Sequence, residues 1–249
     1  MSRIGETGYR LIIWAMGRLH LLKIAYLINR LLVSSLGVRV VSTGRLGKRW
    51  VDRLLYFQRL FDLLEGVEGD VVECGVASGT TLSILASLVR SSGINRHTWG
   101  FDSWQGLPEP DKEDLALAKS CAKKGMFGEA NVEFVLENLR WCGFDDSEIK
   151  NRVTLVKGLF CDTLPCYRGP DIALLHIDAD LYGSYKDALR YLWPKVSAGG
   201  IIAFDEYQEP DTWPGARQAI DEFFNQLAPG SVKLNKDALF NRYYAVKMA

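Results

Sequence analysis

"GDVVECGVASGTTLSILASLVRSSG", residues 69–93, is the stretch whose reading decides the fold. A short apolar run, too brief for a helix, passes into a turn punctuated by Gly75 and Gly79. A helical pattern follows and is closed by Gly93. Strand, glycine turn and helix in that order form the opening unit of a parallel α/β sheet.

The pattern repeats outward in both directions. "KRWVDRLLYFQRLFDLLEGV" before it has helical apolar spacing. After it, the strands "HTWGFDSW", "RVTLVKGLF", "DIALLHID" and "GGIIAFDEY" alternate with the helices "GEANVEFVLENLRWCGF", "YGSYKDALRYLWPKV" and "GARQAIDEFFNQL". Alternation of this kind predicts a mostly parallel sheet with helices on both faces. Two closing strands, "VKLN" and "NRYYAVKM", have no helix between them, so one of them is expected to run antiparallel at an edge. The reading gives one domain, residues 49–249, behind a helical N-terminal extension, residues 1–48.

Composition narrows the function classes. The chain has 249 residues and a formal net charge of zero, which argues against binding nucleic acid through phosphates. The charge is unevenly placed: residues 1–50 hold nine Lys/Arg and one acid, Glu6. Five cysteines without a C-x-x-C pair fit unpaired thiols in a reducing cytoplasm and give no zinc site. Residues 11–38 are apolar but are interrupted by Arg18, Lys23 and Arg30, too often for a spanning helix. Those charges scatter around a helical wheel rather than gathering on one face. Residues 8–36 therefore read as one or two helices packed on the body or on a second copy in a homo-oligomer. A peripheral membrane contact is the lesser alternative.

Ligands of such sheets sit at the carboxyl ends of the strands. Glu73 ends the first strand, and Gly75, Ser78, Gly79 and Thr80 form the turn into the next helix. Asp102 and Ser103 end the second strand, 29 residues after Glu73. A carboxylate there is the usual partner of ribose hydroxyls. The spacing E-x-G-x-x-x-G differs from a dinucleotide G-x-G-x-x-G, which argues against a nicotinamide oxidoreductase. A non-catalytic scaffold is the other rival, but it would be free to lose the carboxylates at its strand ends.

"VVECGVASG" with "GFDSW" resembles the motifs of class I S-adenosylmethionine-dependent methyltransferases. "GFDSWQGLPEP", "LFCDTLP", "HIDADLYGS", "FDEY" and "WPGARQAIDEF" together resemble the macrocin O-methyltransferase (TylF-like) family over roughly residues 50–249. The resemblance implies a Rossmann-like seven-stranded sheet and S-adenosylmethionine as co-substrate. It also implies methyl transfer to a hydroxyl of a sugar, a glycosylated natural product or a glycan. A catechol-like or other vicinal diol is the alternative acceptor. A likeness to catechol-type O-methyltransferases would set Gly158, Leu159 and Phe160 beside the adenine.

"HIDAD" and "AFDEY" end two strands expected to be neighbours. Asp178, Asp205 and Glu206 would then meet at one rim, and three hard oxygen donors suit Mg²⁺. The resemblance carries metal ligation onto these positions, with Glu206 standing where an Asp is more usual. Asp180 is the candidate general base, because period two in an extended chain puts it on the face of Asp178. Leu181 occupies the place of the lysine base of catechol-type enzymes. His176 is the competing base, although its apolar surroundings favour a core histidine. Residues 106–127, polar and long, read as an active-site lid, and Tyr207 and Trp213 as flanks of the acceptor.

Overall fold

The computed structural model describes residues 47–117 and 119–248. The expected helices over residues 8–36, and all but the end of the extension, lie outside the described residues. The chain divides between Trp50 and Val51, and the sheet belongs to the second unit.

Seven strands form one sheet: β1 (Asp70–Cys74), β2 (Thr98–Asp102), β3 (Val153–Lys157), β4 (Ile172–Ile177), β5 (Val196–Phe204), β6 (Val232–Asp237) and β7 (Arg242–Lys247). Their order is β3-β2-β1-β4-β5-β7-β6. β1 to β5 are mutually parallel, while β7 pairs antiparallel with both β5 and β6. The reversed strand is therefore β7, one position in from the edge that β6 forms. β1 and β4 are buried along their whole length, as a strand covered on both faces must be.

The helices are α1 (Lys48–Asp62), α2 (Thr80–Ser92), α3 (Val132–Trp141), α4 (Asp146–Arg152), the single turn α5 (Phe160–Thr163), α6 (Tyr182–Leu192) and α7 (Pro214–Asn225). On one face, Tyr56, Phe57 and Leu60 of α1 and Leu85 and Val89 of α2 cover Val71, Leu174 and Ile201. On the other, Tyr185 and Leu189 of α6 and Ala216 and Ile220 of α7 cover Val72, Leu175 and Phe204. Each large aliphatic or aromatic side chain so buried contributes about 1.5–3 kcal/mol. α4 was not expected. Its start is fixed by a capping box in which Asp145 accepts from Glu148 N–H and Glu148 accepts from Asp145 N–H.

The chain leaves β1 for β2 on one side, and β4 lies on the other. This switch point opens a crevice at the carboxyl ends of β1 and β4. Among the described residues, no helix is long and apolar enough to cross a membrane.

Candidate active site

The glycine turn after β1 is built by close approach of protein to protein. A Cβ on Gly75, whose φ is +90°, would lie 1.7 Å from the carbonyl oxygen of Asp178. A Cβ on Gly79, φ +84°, would lie 2.7 Å from Val135 Cγ1 on α3. Gly75 thus admits the Asp178 backbone, and Gly79 seats α3. Thr80 opens α2, and Ser78 Oγ lies 3.4 Å from its hydroxyl.

Asp102 closes the turn. One carboxylate oxygen accepts from the N–H of Val76 at 2.9 Å and of Ala77 at 2.8 Å, and the other accepts from Trp104 N–H at 2.6 Å. Trp104 Nε1 in turn donates to Ala77 O. Ser103 is spent locally, donating to Gly106 O and accepting from Gln105 N–H. Gly158 N–H donates to Asp102 O at 3.0 Å, which places Gly158, Leu159 and Phe160 beside the end of β2. Glu73 departs from expectation. It is fully buried and pairs with His176 Nδ1 at 3.0 Å, so its carboxyl faces the interior rather than the crevice. Burial pushes it up to about 7 against the pull of His176. His176, packed edge-on against Phe57, is a satisfied core histidine.

The acidic centre lies beside this turn. β4 ends at Ile177 and β5 at Phe204, so Asp178, Asp180, Asp205 and Glu206 all stand just past strand ends. Asp178 N–H donates to Cys74 O and Asp205 N–H to Ile177 O, which locks the three strand ends in register. The period-two argument for Asp180 fails here, because the residue has φ +60° and lies on a turn. The turn nevertheless returns Asp180 to the centre. Carboxylate oxygens of Asp178, Asp180 and Glu206 lie within 4.8 Å of one another. A second such group is His176, Asp178 and Asp205; the expected set of Asp178, Asp205 and Glu206 is not among these groups within the described residues.

Asp205 is set apart by cations. Arg53 of α1 and Arg242 of β7 both donate to its Oδ1. Arg53 also donates to Asp178 Oδ2 at 3.2 Å and to Thr81 Oγ1 at 2.6 Å. Burial alone would raise the Asp205 carboxyl; His176 and the two guanidiniums hold it far below the usual carboxylate range. The other three go the opposite way. Burial, and then repulsion from neighbouring carboxylates, push Asp178 up and carry Asp180 and Glu206 well above the ordinary range. Tyr185 Oη lies within hydrogen-bond reach of both Ile177 O and Glu206.

The long segment between β2 and α3 is docked across this rim. Asp114, 2% exposed, accepts from Tyr182 N–H at the start of α6 and from Asp111 N–H. A Cβ on Gly215, at the start of α7, would meet Asp114 Oδ1 at 2.0 Å. Lys119 pairs with Asp211, and Phe127 packs on Trp213. Trp213 thus joins the loop to the N-cap of α7, while Tyr207 donates to Asp221. Arg53, Arg242, Tyr185 and Asp114 were absent from the sequence reading. Arg53 carried a signal: with Tyr56, Phe57 and Leu60 it falls on one apolar stripe of α1.

Residues 44–231 match the family described as Macrocin-O-methyltransferase (TylF). The chain belongs to that family. Demethyldecarbamoylnovobiocin O-methyltransferase of Streptomyces niveus is 30% identical over 179 residues, 70% of this chain and 66% of that protein. An 8-demethyl-8-(2,3-dimethoxy-alpha-L-rhamnosyl)-tetracenomycin-C 4'-O-methyltransferase of Streptomyces olivaceus is 32% identical over 170 residues, 67% and 63%. This TylF-family chain spans between 62% and 66% of the length of the curated relatives it matches. Among solved structures, calicheamicin methyltransferase CalS11 superposes with a TM-score of 0.69 at 26% identity, covering 81% of this chain and 80% of that one. The O-methyltransferase NovP gives 0.66 at 28% identity, covering 80% and 81%.

Proposed function

We propose that the protein transfers a methyl group from S-adenosylmethionine to a hydroxyl of a sugar or glycosylated small molecule, assisted by a divalent cation such as Mg²⁺. The observation that carries this reading is the convergence of Asp178, Asp180 and Glu206 beside the turn that Asp102 closes. The names of relatives in the family, one of them a rhamnosyl 4'-O-methyltransferase, support the acceptor class.

The residues fit a hard cation. The converging donors are all carboxylate oxygens, and burial with mutual repulsion raises all three. The amide oxygen of Gln208, next to Asp205 on the same loop, is buried without a partner among the described residues. Asp178 and Glu206 would hold the ion, in keeping with the one or two carboxylates that Mg²⁺ usually takes. Bound there, it would lower the pKa of an acceptor hydroxyl and fix the oxygen.

The chain's own groups do the rest. The Gly75–Thr80 turn and Asp102 hold the nucleoside end, with Gly158, Leu159 and Phe160 along the base. Asp180 accepts the proton of the acceptor hydroxyl as that oxygen bonds to the methyl carbon. The carbon–sulfur electron pair stays on sulfur, and S-adenosylhomocysteine leaves as a neutral thioether. The docked segment over residues 106–127 keeps water from the sulfonium.

Incubation of the full chain with S-adenosylmethionine and rhamnosylated or nucleotide-linked sugar acceptors should give a singly methylated product by mass spectrometry. Chelation should abolish the product, and added Mg²⁺ should restore it. Undiminished turnover after exhaustive chelation would remove the cation from this reading. A sugar panel left unmethylated while a catechol is methylated would replace the acceptor class.

Cofactor binding has its own test. S-adenosylhomocysteine should raise the melting temperature and NAD should not, with about 2.7 kcal/mol of stabilisation at a hundredfold excess over Kd. Asp102→Ala frees three backbone donors as well as any ribose contact, so the ligand-induced shift, rather than the starting temperature, is the quantity to compare. An equal shift in wild type and variant takes Asp102 out of the cofactor site.

A further inference from the structure

Arg53 is a buried arginine on a helix remote in sequence from every motif of the site, yet its guanidinium ends inside the acidic centre. It is 2% exposed. Nη1 donates to Thr81 Oγ1 at 2.6 Å and to Asp178 Oδ2 at 3.2 Å, while Nη2 donates to Asp205 Oδ1. Thr81 belongs to α2, so the fork is fixed from a third element. The planar group spans two carboxylates and takes one oxygen of each.

We propose that Arg53 is a positioning residue that leaves Asp178 a single oxygen for a cation, and so makes the centre select Mg²⁺ over Ca²⁺. This deepens, and rests on, the cation-assisted reading above. An oxygen already accepting from a guanidinium is a poor second ligand for a dication, because two positive groups would share it. Asp178 is thereby restricted to ligation through Oδ1. Mg²⁺ accepts such single-oxygen ligation in a small octahedral shell, whereas Ca²⁺ draws on bidentate carboxylates to reach six to eight oxygens. Arg242 donates to the same Asp205 Oδ1 as Arg53, which commits that carboxylate to holding the guanidinium in place. Lysine could replace the charge of Arg53 but not its fork. A compact ammonium cannot hold both carboxylates and Thr81 in one plane.

The experiment is calorimetric titration of MgCl2 and of CaCl2 into the full chain saturated with S-adenosylhomocysteine, for wild type, Arg53→Lys, Arg53→Met and Thr81→Val. Wild type should prefer Mg²⁺. Both Arg53 variants should lower the Mg²⁺/Ca²⁺ affinity ratio by about 10–100-fold, the scale on which residues that orient metal ligands act. Thr81→Val, nearly isosteric, should move the ratio the same way by less, which supplies an answer even if the Arg53 variants do not fold. Full rescue by Arg53→Lys would reduce the effect to charge and overturn the fork. A ratio unchanged in every folded variant, with Mg²⁺ still bound, overturns the proposal and spares the cation. Wild type taking up neither ion overturns both, and that result is distinguishable from the others.

Discussion

Asp180→Asn is expected to lower kcat by about 10²–10⁴-fold, the usual contribution of a general base, while S-adenosylhomocysteine binding stays intact. The amide keeps the size of the side chain and loses its ability to take a proton. Asp180 has a backbone φ of +60°, a conformation that asparagine tolerates well, so the turn should survive the change. Mg²⁺ affinity discriminates between roles. Asp178→Asn should weaken it, because a neutral amide oxygen is a poor ligand for a hard cation, whereas Asp180→Asn should change it little. Loss of Mg²⁺ from Asp180→Asn as complete as from Asp178→Asn would make Asp180 a ligand. His176 is then a weak substitute as base, since its Nδ1 is committed to Glu73 and its Nε2 stands 3.8 Å from Asp205.

Gly75→Ala should cost more stability than any single removal of a side chain at the site. The new methyl would stand 1.7 Å from a backbone oxygen, and the clash lies against the ladder joining β1 to β4 rather than against a flexible side chain. The positive φ adds strain. The expected loss exceeds about 4 kcal/mol, in the range reserved for severe core disruption, and shows in the midpoint of urea unfolding. If the variant folds at all, Asp178 is displaced and Mg²⁺ binding weakens with it. A shift below about 1 kcal/mol would mean that the two strand ends can part freely, contrary to the hydrogen bond from Asp178 N–H to Cys74 O.

The sheet was legible because its signals are local. Val71–Val72, Leu174–Leu175 and Ile201–Ile202 each make a short buried run bounded by glycine or acid, and burial on both faces demands that composition. α4 carries a local signal in the Asp145–Glu148 capping box, but its seven residues beside a strand were assigned no element from sequence. The site was half legible. Four carboxylates at two strand ends announced a centre, yet their division of labour depends on partners distant in the chain. Asp205 is 152 residues from Arg53, and Glu73 is 103 from His176. Nothing in a strand's own pattern reports such pairings. The glycines were legible as points of close approach, but the Asp178 backbone and the Val135 side chain that meet them lie distant in the chain. Asp180 reached the right place by a different route, through a turn rather than by strand alternation.

The docking of Arg53 into the acidic centre bears on how far this site could be transplanted. The strand ends that define the crevice lie between β1 and β5, which invites the idea that the loops after β1, β4 and β5 form a portable cassette. They do not, because one of the groups that shapes the carboxylates arrives from a helix that precedes the first strand, and another from β7 near the end of the chain. A chimera that grafted those loops onto a related sheet would carry the acids without the guanidiniums that sort them. Like charges would then be crowded together with no fixed counter-charge, and the graft would relieve them by protonation or by splaying the loops. Descent with variation faces the same coupling: loss of Arg53 or Arg242 alone would leave Asp205 short of a guanidinium.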